Sequence, residues 1–152
     1  MNYINLTPWE IILRKNSGDL SLAPKKFELK TESFITRLGN DDGIFLLRNF
    51  IKKTVRFIKG RRSADNSCEE EDHRVHILEK TIFILPPYFY EAFNKRTDCY
   101  TFNKESIVCE REIQAEKIMY EVTTRLPVDH PIILKNLIQK KISTPDIIVE
   151  NC

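Results

Sequence analysis

Ile44, Leu47, Ile51, Val55 and Ile58 recur at steps of three and four residues. That spacing lines them up along one side of a helix and along neither side of a strand. Phe50 and Leu46 widen the stripe, Asp41 and Asp42 stand where carboxylates favour the positive helix end, and Gly60 stops the run. A helix from Ile44 to about Lys59 is the best periodic segment of the chain, and the rest of the fold must offer its apolar side a surface. The run is also basic. Arg48, Lys52, Lys53, Arg56 and Lys59, followed by Arg61 and Arg62, make seven cations from Gly43 to Arg62 with no carboxylate among them.

The chain can bury that helix. At 152 residues, 41% of them hydrophobic, it has the length and the material for a single domain over 1–152. Its formal net charge of +2 draws it to no polyanion as a whole, so any electrostatic specialisation lies in how the charges are distributed. The opening residues lack a basic region followed by an apolar one, and no apolar run approaches the roughly 20 residues that cross a bilayer. An intracellular protein, nuclear or cytoplasmic and without a membrane partner, is expected. The cysteines, Cys68, Cys99, Cys109 and Cys152, are loosely spaced and are expected to be reduced.

Local signals elsewhere favour helices. Thr7-Pro8-Trp9-Glu10 carries an N-cap threonine, a proline at the first helical position and a glutamate placed as in a capping box. It opens a helix from Trp9 to about Lys15 that ends at Asn16-Ser17-Gly18. Thr31-Glu32-Ser33-Phe34 opens a short helix capped by Gly39. Val75 to Leu85 fits a helix face through Val75, Leu78, Ile82 and Leu85, while its β-branched content fits a strand; helix is preferred because no second strand offers a partner. Tyr88 to Phe93 reads as a short helix with Pro87 near its start. A long helix follows from Lys104 to about Thr124, only partly buried, and a last amphipathic one begins at Asp129-His130-Pro131 with Ile133, Leu134, Leu137, Ile138 and Ile142. The sum is a mostly all-α domain, an irregular bundle of about six or seven helices, with a small β element near 75–85 as the alternative. Residues 63–72, with five acidic groups and no basic one, read as an exposed linker.

Little in the chain can run a reaction. No nucleophile elbow or phosphate-cradling glycine loop occurs among its four glycines, and the carboxylate pairs read as solvated surface. Cys68, His73 and His76 with Cys99 or Cys109 contain zinc-ligating groups, but the second close pair of a structural zinc site is missing. No enzyme, no cofactor and no small-molecule substrate are expected.

Two features suit binding instead. The basic side of the helix, Arg48, Lys52, Lys53, Arg56 and Lys59 with Arg61 and Arg62, suits an acidic protein or a phosphate backbone; the plainer alternative is a solvated face balanced by the acidic linker. Lys52-Lys53 followed by Lys59-Gly60-Arg61-Arg62 also resembles a loose bipartite nuclear import signal. Tyr88, Phe89, Tyr90 and Phe93 form a dense aromatic patch that either fills the core or anchors a partner. Ser63 after two arginines and Ser67 before three glutamates are placed where phosphorylation would add charge beside the basic helix. These features point to a non-enzymatic adaptor or subunit of an intracellular assembly, with nucleic-acid binding through residues 44–62 as the alternative.

Overall fold

The computed structural model describes residues 1–25, 41–59 and 80–139. Within them the chain runs β1 (Asn2–Asn5), β2 (Ile11–Lys15), β3 (Gly18–Leu22), α1 (Asp41–Lys59), β4 (Thr81–Ile84), α2 (Pro87–Tyr90), β5 (Cys99–Tyr100), α3 (Glu112–Thr123) and β6 (Ile132–Leu134). Short 3-10 turns stand at Glu91–Phe93 and Lys104–Ser106. Three α-helices and six strands in two small sheets among the described residues make this an α/β mixture, which overturns the expected all-α bundle.

β4 organises the molecule. Thr81-Ile82-Phe83-Ile84 lies between β1 and β5, parallel to both, with Tyr3 opposite Ile82 and Tyr100 opposite Ile84. Its side chains alternate between two cores. Ile82 and Ile84 join Ile11, Leu13, Ile132 and Leu134 of the second sheet, whereas Phe83 and Leu85 meet Leu47 and Ile51 of α1. A strand buried on both faces reads as an unbroken apolar run, which is why this stretch resembled a helix. The missing partners are the short strands β1 and β5, remote from it in sequence.

The second sheet has the order β3-β2-β6, with β2 antiparallel to β3 and parallel to β6. Lys15 pairs with Gly18 across a two-residue loop. Gly18 has φ +125°, a conformation that side chains disfavour and that suits a tight hairpin. Asn16-Ser17-Gly18 therefore punctuates a hairpin and not a helix end. Isolated bridges join the sheets at both margins: Asn5 with Pro24, Thr101 with Ile138, and Ile107 with Leu134. The strands thus follow one another as β4, β1, β3, β2, β6 and β5 around a shared apolar interior. To that interior α3 adds Ala115 and Val122.

Other expected helices give way for related reasons. Trp9 to Lys15 holds β2, because Thr7 caps nothing: its hydroxyl donates to Asn5 Oδ1 and accepts the Trp9 N–H at 3.4 Å, closing a turn. Ile132-Ile133-Leu134 is β6, where Ile132 and Leu134 point inward beside Ile11 and Leu13. The long helix expected from Lys104 is interrupted. Asn103 and Ser106 exchange capping bonds around the 3-10 turn, Ile107 bridges to Leu134, and α3 starts only at Glu112. The expected helix at 31–39, residues 75–79 of the 75–85 stretch, the linker at 63–72 and Ile142 lie outside the described residues. No helix among the described residues is long and apolar enough to cross a membrane.

Candidate functional site

Because α1 buries Leu47 and Ile51 completely against β4, the helix presents its opposite side outward. Arg48, Lys52, Lys53 and Arg56 are all exposed. At 100° per residue they spread, together with Phe45 and Asn49, over an arc of about 140°. Phe45 is 63% exposed on that arc, so an aromatic ring stands among the cations. Arg48 lies at its margin, its guanidinium 5.7 Å from the centre of the Phe93 ring. Among the described residues none of these four cations makes an ion pair. Like charges at i and i+4, such as Arg48 with Lys52 and Lys52 with Arg56, repel by a few tenths of a kcal/mol per pair, which a bound polyanion would relieve. Lys59 ends the helix, and Arg61 and Arg62 lie outside the described residues.

The aromatic patch is placed differently. Phe89, Tyr90 and Phe93 are at most 4% exposed and pack with Leu6, Leu47, Ile51, Phe83 and Cys99. Of the two roles weighed for them, they occupy the core. Tyr88 is half-buried between the two cores, edge-on to Trp9 at 6.3 Å between centroids, with the Arg125 guanidinium 4.5 Å from its ring centre. Its hydroxyl has no hydrogen-bond partner among the described residues, and burial pushes its pKa up to about 12 despite the opposing charge of Arg125.

Cys99 and Cys109 are free thiols. Cys99 faces the core beneath α1 and Cys109 flanks the core between the sheets, so they lie on opposite sides of β4. Cys68, His73 and His76 are outside the described residues, within which no cluster of metal-ligating groups occurs. Cys109 also lines a groove of about 500 Å³ with Glu110, Lys117, Glu121, Asp129 and His130. Its thiol is pushed up by desolvation, however, and no hydrogen bond links it to His130, whose Nδ1 lies 3.2 Å from the Pro131 carbonyl. A thiol held protonated and unpaired with a base is a poor nucleophile.

A second, smaller cleft, of about 220 Å³, opens between the sheets. It is lined by Tyr3, Arg14, Lys15, Tyr100 and Lys135 over Leu13, Ile82 and Leu137. None of these residues stood out in the sequence as a site residue; Ile82 and Leu137 were read only as apolar helix positions. They come from five separate segments, so no local pattern joins them. Compared with protein-family models, curated proteins and solved structures, the chain matches none. Fold and surface together define a small α/β protein with one cationic helix face.

Proposed function

We propose that this is a non-enzymatic nucleic-acid-binding protein, acting inside the cell, whose α1 face meets the phosphate backbone. One observation carries the reading: Arg48, Lys52, Lys53 and Arg56 project from one exposed arc with Phe45 among them, and no described carboxylate pairs with them. Regularly spaced cations suit regularly spaced phosphates, and an exposed ring offers a base something to stack on. Four phosphate contacts imply a salt slope of about −3 on single strands and nearer −4 on duplex. Affinity should then fall about 50- to 150-fold between 50 and 200 mM salt, measured by anisotropy of labelled oligonucleotides. The double variant Lys52→Ala/Lys53→Ala should reduce the slope by about 1.5 and leave stability unchanged. Absence of binding at 50 mM salt would sink this reading.

A second reading, a subunit of a larger assembly, draws on a different helix. Ile113 and Tyr120 on α3 are 75% and 64% exposed and stand two turns apart on one side. They offer the apolar protein contact that the buried Phe89, Tyr90 and Phe93 do not.

A further inference from the structure

The small cleft lies where the starts of β1 and β4 meet the ends of β2 and β6, on the side of β4 away from α1. Its composition is divided. The floor and walls are apolar or aromatic, made by Leu13, Ile82, Leu137, Tyr3 and Tyr100, while Arg14, Lys15 and Lys135 supply positive charge. No carboxylate lines it. Arg14 pairs with Asp19 at 3.4 Å in an exposed and therefore weak bridge. Both rings already hold cations. Lys15 Nζ sits 4.3 Å from the centre of Tyr3, and Lys80 Nζ donates to the Tyr100 hydroxyl at 3.3 Å.

We infer that this cleft is a nucleotide subsite, taking one base against the tyrosines and its phosphate on Lys15 and Lys135. Lys15, resting on Tyr3, occupies the face that a base would use, and a phosphate is what would draw it off. The exchange conserves charge pairing while replacing an ammonium on Tyr3 by a flat ring, which stacks without regard to base identity. The size agrees: about 220 Å³ is below the 300 Å³ or more of usual cofactor sites and suits a single base. The occupant is a nucleotide, free or as one unit of a single strand. Because α1 covers the other face of β4, the subsite stands or falls apart from the helix reading.

Backbone amide spectra of the full chain, labelled with ¹⁵N, test this with three probes: AMP, an oligothymidylate and inorganic phosphate. AMP or the oligothymidylate should shift amides of Tyr3, Lys15, Tyr100 and Lys135, with the free nucleotide and the strand told apart by which binds more tightly. Lys15→Glu/Lys135→Glu should weaken that binding at least about tenfold, and Tyr3→Leu by about tenfold with folding verified by far-UV dichroism. Lys15→Arg should retain it. Equal shifts and equal affinity with phosphate alone would overturn the subsite, leaving a simple anion contact. Shifts confined to α1 would overturn it while upholding the helix as the nucleic-acid face, and no shift in any probe would overturn it outright.

Discussion

Asn5 shows how much one polar side chain can determine. It is 2% exposed, yet its amide donates to the carbonyls of Trp9 at 2.7 Å and Leu22 at 3.0 Å, while its oxygen accepts the Thr7 N–H at 2.9 Å. It therefore ties the end of β1 to the approach to β2 and to the end of β3. Asn5→Ala removes three hydrogen bonds to backbone groups, and about 2–4 kcal/mol of stability should be lost, seen as a lower denaturation midpoint at unchanged slope. Two other buried groups set the alkaline limit. Burial, aided by Asp98, pushes the Cys99 thiol up to about 12 from 9.0, and Tyr88 rises to about 12 from 10.0. Both are protonated in either state below about pH 8, so their contribution is then complete; above it the unfolded chain ionises first and stability drains away until the folded pKa is passed. Urea unfolding at pH 8, 10 and 11 should show that fall, and Cys99→Ala should flatten its lower part.

Among the elements, β4 and α1 divide the work between structure and surface. Phe83, fully buried between β4 and α1, should lose about 3–5 kcal/mol on replacement by alanine. Phe45, on the outer side of α1, should change stability by less than about 0.5 kcal/mol when replaced by alanine while weakening oligonucleotide binding. Thermal melts alongside anisotropy separate the two effects. The same contrast explains what could be read in the chain beforehand. α1 was legible because one side is apolar and the other charged, a pattern carried entirely by its own residues. So was its cationic face. β4 was not, because a strand covered on both faces has no period and its partners, Asn2–Asn5 and Cys99–Tyr100, are remote in sequence. Ile11-Ile12-Leu13 and Ile132-Ile133-Leu134 are too short for either period to declare itself, and capping residues around them tipped the balance wrongly towards helix. Tyr88 to Phe93 showed aromatic density, which core and contact surface share. The cleft had no sequence signal at all, since Tyr3, Lys15, Tyr100 and Lys135 meet only after folding.

At the scale of the whole molecule, α1 packs on one face of the β1-β4-β5 sheet and the β3-β2-β6 sheet on the other, with β4 contributing side chains to both cores. Trp9, the only tryptophan, is 5% exposed in the inner core. Its fluorescence should therefore report the same denaturation midpoint as far-UV dichroism, and two distinct midpoints would show that the layers unfold separately. The pairings themselves are distant: Asn2 meets Thr81, and Ile11 meets Ile132. That last pairing bears on synthesis. The hairpin of β2 and β3 can close as soon as it leaves the ribosome, but its other neighbour is 121 residues away (132 − 11). At about 5–20 residues per second the edge of β2 that β6 pairs with waits roughly 6–24 s for its partner. Throughout that interval the nascent chain carries an open, sticky strand edge, making the speed of translation and the supply of chaperones part of what this fold requires.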